Sequence, residues 1–578
     1  MILKLTGFMG ESPRTIPRLL PDTMAQEAYN TKLENGALKP IHQGRLDTRL
    51  AEKAQTIFLH KDVWLGWDAA VDVVQGPVAD DRIYFTGDGA PKILFDGQTM
   101  DLAVPGPTVA LTATMSGTPD PDLAVTILYT YTNVTSLGEE SEPAPAGAGL
   151  LWSEGNTVTV RGFQQPPSGR RITLQRIYRS QTSATGNTQF FFIAERPAGM
   201  GDFIDAGLPI VEELPSTDFN PPPDNLQGLT ALANGMIAGF DGKRLYFCEP
   251  YFPHAWPEKY VLTCDYEIVG LGSFGSSIAI LTNGMPYIAS GTAPENMVME
   301  KIEVNLPCIS ARGVVDLGYA VAYPSHSGLV SVSSAGANVV TAGMLTRDQW
   351  LQMNPYSFAA GQYSGRWMAS YAYTDEGGSE KRGIIIIDLT GENAFLIRNT
   401  DYADAMHYDI SSGSLYILKS GTDIYEWDAL SQPYGEQLWR SKKFVIQTEI
   451  NFGALLVEGD DVTTPAQKKT MQEKAAAMMA ANRAMMNGQR AGGAVGSAAI
   501  GVTPFGGSLL DAVNNDPTSL AVTVYADERP VFTTSKLNQV VRLPGGFQAR
   551  TWEIEVRGNI QVSQITMATS ASEMAEGQ

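Results

Sequence analysis

Cysteine is scarce in this sequence, and its few copies follow no pairing pattern. Only Cys248, Cys264 and Cys308 occur in 578 residues, and none forms a CxxC pair. A scattered, odd number argues against both a disulfide framework and a thiolate metal site. We expect three reduced, buried thiols in a chain made in a cytoplasm.

Long apolar runs are missing as well. No stretch approaches the roughly eighteen consecutive apolar residues that a membrane helix requires. Residues 1–10 are too short for a secretory signal. We therefore expect a soluble protein without a membrane span or an export signal.

The motifs that usually carry catalysis or bind cofactors are also absent. The sequence has no GxxxxGKS/T, HExxH or GxSxG pattern and no sialidase-type Ser-x-Asp-x-Gly-x-x-Trp box. The histidines are scattered one per predicted element without ligand spacing: His42, His60, His254, His326 and His407. We therefore expect no enzyme, no cofactor and no metal site.

Three local arrangements could suggest chemistry, and each has a simpler interpretation. The stretch 270–275 satisfies GxGxxG, but another strand pattern follows it instead of the helix that must face a pyrophosphate, so we expect a hairpin. His326 could pair with Cys308, but its Ser-His-Ser-Gly context is typical of a turn. The acidic stretch 458–461 lacks the ligand spacing of a calcium loop and favours a solvated turn.

Basic residues are outnumbered. The chain has 41 Lys and Arg against 62 Asp and Glu, for a formal net charge of −21. Such a surface repels nucleic acid, because affinity for phosphates comes mainly from Lys and Arg. The acidity could serve solubility alone, or it could line a bore through which DNA slides without sticking.

The residues that are abundant indicate a β protein rich in turns. The sequence contains 57 Gly and 34 Pro at 43% hydrophobic content. Short β-type runs recur every eight to twelve residues between turn dipeptides, which leaves no room for crossover helices. The clearest runs are 235–240, 243–248, 268–271, 277–282, 285–290, 312–317, 319–324 and 328–332. Repeated hairpins of this kind predict the blades of an irregular β-propeller, with no fixed blade count.

Composition shifts divide the chain into segments. We assign 1–57 to an N-terminal arm, 58–104 to the first propeller strands and 224–445 to the rest of the propeller. Residues 446–578 form a C-terminal β domain with a helical insertion at 460–520. Within the arm, Met24, Ala25, Ala28 and Tyr29 predict a short helical turn capped by Asp22 or Thr23.

The segment 105–223 has the size of a separate sandwich inserted into the propeller. Val125, Ile127, Tyr129 and Tyr131 alternate on one predicted strand face. A Gly-Glu-Glu-Ser-x-Pro turn and an Arg-Ile-Tyr-Arg strand follow. This order resembles fibronectin-III-like domains of viral surface proteins, which implies a two-sheet sandwich.

The insertion at 460–520 contains the one long helix that the sequence predicts. Thr464-Pro465 starts it, an Ala- and Met-rich stretch continues it, and Asn487-Gly488 should end it. Met471, Met478 and Met485 recur every seventh residue, and Met479 and Met486 widen the stripe. The helix could pack on its own β domain, or neighbouring copies could meet near an axis and narrow a channel.

Several short elements inside the propeller region occur in a recognisable order. They are Tyr246 through Pro250, Ala255-Trp256, Ile268 through Leu271, Leu281-Thr282, Pro286-Tyr287, Gly291, Pro294, Pro307-Cys308 with Ser310-Ala311-Arg312, and Ser327-Gly328-Leu329. Together they resemble the propeller of podophage tail nozzle proteins. The proline-rich arm and the Trp-x-Ser-Lys-x-Phe and Asn-Phe-Gly-Ala elements near residue 445 resemble the same family.

The resemblance implies a structural virion protein assembled in the bacterial host cytoplasm. It would form a homo-oligomer, with six copies by family expectation, at the distal end of a short tail. Its partners would be the tail adaptor ring, tail fibre or spike proteins, and genomic DNA passing through the channel without sequence-specific binding. Two alternatives stay open: a receptor- or glycan-binding tail component, and a glycan depolymerase.

Overall fold

The computed structural model describes residues 1–182, 188–375, 377–388, 395–460, 465–490 and 519–576. The protein is mainly β, with 48% strand and 7% helix. Its contacts divide it into two units, which we call unit 1 and unit 2. Unit 1 comprises Met1–Lys53, Ser327–Leu329 and Val339–Gln578, and unit 2 comprises Ala54–His326 and Val330–Asn338.

Four-stranded sheets built from consecutive strands dominate unit 2, which holds three of them and most of a fourth. The first sheet consists of Asp72–Gln75, Arg82–Thr86, Lys92–Phe95 and Gln98–Asp101, and the second of Gln227–Ala231, Ile237–Asp241, Arg244–Phe247 and Leu262–Thr263. The third consists of Ile268–Phe274, Ser277–Thr282, Tyr287–Ser290 and Val298–Lys301, and the fourth of Val315–Asp316, Val321–Ser325, Gly328–Ser333 and Gly336–Val339. In the first three sheets all neighbouring strands are antiparallel. A two-stranded hairpin, Thr56–His60 with Val63–Trp67, precedes them.

The first strand of each of these sheets packs on the first strand of the next sheet in sequence. Gln227–Ala231 contacts both Asp72–Gln75 and Ile268–Phe274, and Ile268–Phe274 in turn contacts Val315–Asp316. Apolar side chains fill the space between the second and third sheets, among them Phe240, Phe247 and Ile280. A second apolar cluster, which includes Val74, Tyr84 and Ile237, lies between the first and second sheets, so each of these two neighbouring pairs shares a buried layer.

Most predicted strand runs coincide with observed strands. The run 277–282 matches Ser277–Thr282, whereas 312–317 shrinks to Val315–Asp316, because a 3-10 turn, Ala311–Gly313, takes its start. The other 3-10 turns are Ala233–Gly235, Glu258–Tyr260, Pro294–Asn296 and Pro355–Ser357.

The segment 105–223 of unit 2 forms three small antiparallel sheets. Their strands are Thr112–Ser116, Thr157–Arg161 and Phe203–Asp205; Val125–Ile127 and Leu150–Trp152; and Tyr129–Thr135, Ile172–Thr182 and Thr188–Pro197. Ile127, Tyr129 and Tyr131 enter one core, as the alternation predicts, whereas Val125 is exposed at the strand's start. The Tyr129 hydroxyl donates to Asp205 Oδ2 at 2.7 Å, which satisfies its polar end inside that core.

Unit 1 is built on a ten-stranded sheet. Its strand order is Ala359–Tyr363, Arg366–Thr374, Glu380–Asp388, Phe395–Asn399, Ala25–Tyr29, Gln437–Ser441, Ala549–Gly558, Leu520–Ala526 and Arg529–Thr534, and Phe444–Ile450 also pairs with Ala549–Gly558. The other sheets of unit 1 are Ile2–Leu5, Gln561–Ala568, Ala454–Asp460 and Val541–Arg542; Ala405–Asp409, Ser414–Lys419, Asp423–Trp427 and Arg45–Arg49; and the pair Thr31–Lys32 with Lys39–Pro40.

The first 53 residues contribute strands to these sheets. Ile2–Leu5 pairs with Gln561–Ala568, and Arg45–Arg49 forms the edge strand beside Asp423–Trp427. The helical turn predicted from Asp22 is wrong, because Ala25–Tyr29 is a strand paired with Gln437–Ser441. Partners some four hundred residues away thus override a weak local helix preference.

Three α-helices occur in the described residues. Helix α1 is Arg347–Gln352, helix α2 is Pro465–Arg490 and helix α3 is Ala571–Glu576. Thr346 and Gln349 form a capping box that starts α1. Helix α2 is the predicted long helix, but it continues past Asn487-Gly488 to Arg490. None of the described helices combines the length and the apolar character of a membrane-spanning segment.

Candidate functional site

The predicted methionine stripe lies on α2 of unit 1. Met471, Met478 and Met485 all fall within Pro465–Arg490, and the Met478 side chain is partly exposed. The side chains of Met471 and Met485 lie outside the described residues, so the stripe stays a prediction.

A different residue attaches α2 to the rest of unit 1. The Lys474 ammonium donates hydrogen bonds to Gln43 Oε1 at 2.8 Å and to Gln432 Oε1 at 3.1 Å. Gln43 lies between the strands Lys39–Pro40 and Arg45–Arg49, and Gln432 precedes Gln437–Ser441. One cation therefore bridges two segments that are distant in sequence. Both glutamines lie outside the predicted C-terminal β domain, 446–578, so packing of α2 on that domain stays a prediction.

Gln43 also belongs to a cavity of about 640 Å³ in unit 1. The cavity is lined by Tyr29, Asn30, Ile41, His42, Gln43, Gly44, Asn399, Thr400, Asp401, Gly435, Glu436, Gln437, Leu438 and Arg557. Gln43, Thr400, Glu436 and Arg557 are exposed, so the cavity opens to solvent at their side chains. Its volume lies in the range typical of small-molecule sites, roughly 300–1,000 Å³.

A buried carboxylate stands behind one wall of the cavity. Asp428 accepts hydrogen bonds from His42 Nδ1 at 2.9 Å and from the Tyr363 hydroxyl at 3.0 Å, and it is ion-paired with Lys32. Burial alone would raise the pKa of Asp428, but the His42 hydrogen bond and the Lys32 cation outweigh it and hold the pKa below its ordinary value. Asp428 is therefore ionised at neutral pH, and it fixes the orientation of the His42 ring.

His42 is held on a second side as well. Its ring stacks on Tyr434 with centroids 4.2 Å apart, and its backbone N–H donates to Asp428 Oδ1 at 2.9 Å. With Nδ1 engaged by Asp428, Nε2 is the ring nitrogen left for other contacts. A histidine ring that is oriented by an aspartate is a common part of general-base sites. The sequence alone does not indicate that Asp428 is the partner of His42.

The opposite wall is cross-linked through Asn30. Its Nδ2 donates to the Glu436 carbonyl oxygen at 2.9 Å, and its Oδ1 accepts the Thr400 N–H at 2.9 Å. Asn30 adopts φ +53°, a left-handed conformation that asparagine tolerates better than most residues. The cavity walls are thus fixed by hydrogen bonds between three chain segments.

Gln437 is the least satisfied polar side chain of the lining. It is fully buried, and its Nε2 donates to the Ile560 carbonyl oxygen at 2.8 Å. No group in the described part of the chain hydrogen-bonds to its Oε1. An unpaired buried acceptor is unfavourable, and the complete burial of Gln437 keeps this oxygen out of reach of a ligand in the cavity.

The charged groups of the lining are partly neutralised by neighbours. Asp401 Oδ1 accepts from Lys419 at 2.6 Å, and Arg557 Nε donates to Glu555 at 2.6 Å. Burial raises the pKa of the Tyr29 hydroxyl to about 12, so Tyr29 stays neutral. The lining contains two acidic residues, Asp401 and Glu436, and one arginine, Arg557.

The other histidines and the acidic stretch were further candidates for a metal site in the sequence. Within the described ranges, no group of three or more His, Cys, Asp or Glu side chains is placed to hold a metal ion. His326 lies in a turn, as predicted. The predicted turn at 458–461 is wrong for its first three residues, because they end the strand Ala454–Asp460, which pairs with Gln561–Ala568; Asp461 lies outside the described residues.

The GxGxxG stretch is a strand and a hairpin, as expected. A side chain at Gly272 would place its Cβ 2.6 Å from Val321, and one at Gly270 would approach Val314 to 3.1 Å. Gly275 lies at the hairpin with φ +58°. Two of the glycines therefore allow adjacent sheets to approach closely, and the third allows the turn.

The three cysteines are free and buried, as predicted. Burial raises the pKa of Cys248 and Cys308 to about 12 and that of Cys264 to about 11. Their thiols therefore stay protonated at neutral pH and are poor nucleophiles.

Comparisons with known proteins assign no family. No family model matches the chain, and no curated protein matches it. Similar solved structures include an exo-β-1,3-galactanase from Phanerochaete chrysosporium, at 10% identity and TM-score 0.21, covering 77% of this chain and 100% of the other.

Two further structures are similar at the same level. One is PorZ, a surface component of the type-IX secretion system of Porphyromonas gingivalis, at 11% identity and TM-score 0.22, covering 64% of this chain and 42% of the other. The second is Hsv2 from Kluyvelomyces marxianus, at 8% identity and TM-score 0.22, covering 50% and 90%. None of the three assigns a function to this chain.

Proposed function

We propose that this protein is a structural subunit of a bacteriophage tail: a nozzle subunit that assembles into a closed ring through which the genome leaves the virion. The observation that carries the proposal is the series of four-stranded sheets that follow one another along unit 2. Their order agrees with the propeller that the sequence elements between Tyr246 and Leu329 resemble. The acidic composition and the absence of recognisable catalytic motifs in the sequence are compatible with a structural role.

We interpret each four-stranded sheet as one blade of an irregular β-propeller. In a propeller the first strands of neighbouring blades lie side by side around the axis. The contacts between the first strands of successive sheets in unit 2 support this interpretation. In unit 1 an N-terminal strand, Arg45–Arg49, completes a sheet whose other strands come from 405–427. The segment 105–223 is then the inserted fibronectin-III-like sandwich.

The proposed role of the ring is mechanical and electrostatic. With a net charge of −21 per subunit, several copies around one axis would create a strongly negative passage. Duplex DNA, which carries one negative charge per roughly 1.7 Å, would be repelled from such a wall and would slide without binding. Closed ring symmetry is the common outcome for repeated subunits, and six copies is the number that the family resemblance suggests.

Helix α2 is the proposed closing element of the channel before host contact. At about 1.5 Å per residue its 26 residues extend for roughly 39 Å, enough to reach well beyond one sheet. The Lys474 contacts with Gln43 and Gln432 would hold it in one position. The remaining surfaces of the ring would bind the tail adaptor above and fibre or spike proteins at the side.

The test is the assembly state of the purified protein. Light scattering after size-exclusion chromatography, alone and with the purified adaptor ring, should give a mass of several subunits, and electron micrographs should show rings. A monomer under both conditions would contradict the proposal. Degradation of host glycan by the same preparation would favour the depolymerase alternative instead.

A further inference from the structure

Helix α2 buries no side chain among those that the structure describes. Most of these side chains are exposed, and Met479 is 43% exposed. A helix in this state gains little stability in water, because most helical stability in proteins comes from the packing of one face. The Lys474 hydrogen bonds fix one side of α2 on unit 1. A partner on the other side would supply the packing of a face.

The side of α2 away from Lys474 combines positive charge with an apolar side chain. Lys468, Gln472, Met479 and Arg483 follow one another at intervals of four, seven and four residues, which places them on one helix face. At 3.6 residues per turn this face lies roughly 150° from Lys474. We call these four residues the basic face. The whole helix carries five Lys or Arg against one Glu, in a chain with a net charge of −21.

Unit 2 exposes two large apolar side chains close together in its inserted segment. Leu123 is 68% exposed and Val125 is 52% exposed. Carboxylates accompany them, and all three are exposed as well: Asp120, Asp122 and Glu154. We call these five residues the acidic edge. It offers apolar contact and negative charge in one place.

Hydrogen bonds hold the two loops of the acidic edge together. The Asp120 N–H donates to Ser153 Oγ at 2.9 Å, and Ser153 directly precedes Glu154. The Leu123 N–H donates to the Asp120 carbonyl oxygen at 3.2 Å. The sequence from 105 to 160 contains no Lys or Arg, so this part of the chain supplies no cation to the edge.

We propose that the basic face of α2 in one copy docks on the acidic edge of a second copy. Lys468 and Arg483 pair with carboxylates of the edge, and Met479 packs on Leu123 and Val125. Nucleic acid would match the charge of the basic face, but its phosphates offer no apolar partner to Met479. The acidic edge offers both, and complementary charge favours this orientation of two copies.

The two docking surfaces are different parts of the chain, so the contact is heterologous. Each copy uses its α2 toward one neighbour and its acidic edge toward the other. Contacts of this kind form a closed ring when the rotation between copies closes. The docking therefore rests on the proposed ring, of which it is one subunit contact.

The experiment measures assembly of the full-length protein by light scattering over a series of concentrations, with the adaptor ring if the parent requires it. Lys468→Glu combined with Arg483→Glu reverses the basic face. Asp120→Lys combined with Asp122→Lys reverses the acidic edge. Each double variant should assemble at least about tenfold more weakly than the parent, because like charges then face each other across the contact.

The matched control reverses one lysine and one arginine elsewhere. Lys381→Glu combined with Arg529→Glu changes two exposed side chains on strands of unit 1 and should leave assembly as in the parent. Glutamate has nearly the helix propensity of lysine and arginine, so the α2 variant tests charge and not helix formation.

Charge exchange identifies the partner surfaces. An equal mixture of the two double variants should assemble again, because each reversed surface then meets its complement on the other variant. The chain with all four substitutions should also assemble. Recovery in that chain but not in the mixture would place the contact within one copy and would overturn docking between copies.

Two further outcomes overturn the docking. One is assembly of both double variants as in the parent. The other is binding of duplex DNA by the parent that the α2 variant loses while its assembly is unchanged. Either result leaves the proposed ring standing. A parent that stays monomeric even with the adaptor ring contradicts the proposed function, and the docking with it.

Discussion

At the scale of single residues, Asp428 is a buried polar group that joins several parts of unit 1. Its carboxylate is fully buried and serves Lys32, His42 and Tyr363 at once, and its backbone adopts φ +55°. Because three groups interact with one charge, its removal leaves the largely buried Lys32 ammonium, whose side chain is 14% exposed, without its ion-pair partner.

Asp428→Asn should therefore destabilise unit 1 by about 3 kcal/mol or more. Chemical denaturation, monitored by hydrogen exchange of the amides in unit 1, measures this loss of stability. Asp423→Asn is the matched control at the start of the strand that precedes Asp428: it breaks an ion pair with the exposed Arg49 and should cost much less, because exposed ion pairs contribute little to stability. Equal losses in the two variants would show that burial of Asp428 has no special role.

His407 makes unit 1 sensitive to pH. Burial lowers the pKa of His407 from 6.5 to about 4, so the folded protein keeps this ring neutral where the unfolded chain would protonate it. Below pH 6.5 the unfolded state binds the extra proton, so stability is lost as the pH falls from 6.5 to about 4. In His407→Gln this part of the pH dependence should disappear from denaturation curves recorded across that range. A variant with the parent's full pH dependence would refute the assignment.

At the scale of elements, close approach between sheets is set by glycine. A Cβ at Gly272 would lie 2.6 Å from Val321, which is itself completely buried. Gly272→Ala should therefore destabilise unit 2 by about 1–3 kcal/mol through overpacking.

Gly201→Ala is the control for this substitution. The added methyl group meets nothing within 4 Å, and Gly201 has no left-handed conformation. Thermal unfolding of both variants should show a lower melting temperature for Gly272→Ala alone. A similar shift in both would mean that the loss in Gly272→Ala does not come from overpacking between the sheets.

A second prediction for an element concerns the hydrogen bonds that attach α2 to the rest of unit 1. Lys474→Ala removes both hydrogen bonds to Gln43 and Gln432 and should increase hydrogen exchange and proteolytic cleavage within Pro465–Arg490 several-fold. Lys469→Ala, on an exposed part of the same helix, tests for a general effect of removing a lysine. If both variants exchange alike, Lys474 does not hold the helix.

The sequence predicts elements well where the signal is local. Ser277–Thr282 and the start of α2 at Pro465 follow from turn dipeptides and helix-start residues that lie beside them. Ala25–Tyr29 was mispredicted because its strand partners lie several hundred residues away and leave no trace in the local pattern.

The cavity could not be predicted for the same reason. Asn30, Thr400 and Gln437 come together only through tertiary pairing, and each looks like an ordinary polar residue in its own segment. His42 was noted only as a scattered histidine, since its partner Asp428 follows almost four hundred residues later. Reliable detection from sequence would require knowledge of the strand order.

At the scale of the whole molecule, we propose that the chain forms one segment of a channel wall. Hairpins bury their apolar faces against neighbouring hairpins, and the excess of 62 acidic over 41 basic residues is left for the surfaces. In this view the charge has a function only after assembly, because a single negatively charged subunit would not form a passage.

The most direct test of this claim is a cryo-electron microscopy map of the assembled protein. We predict a closed ring with an axial passage wide enough for duplex DNA, whose inner wall carries Asp and Glu side chains in excess over Lys and Arg. An assembly without an axial passage, or a passage lined mainly by lysine and arginine, would contradict the account.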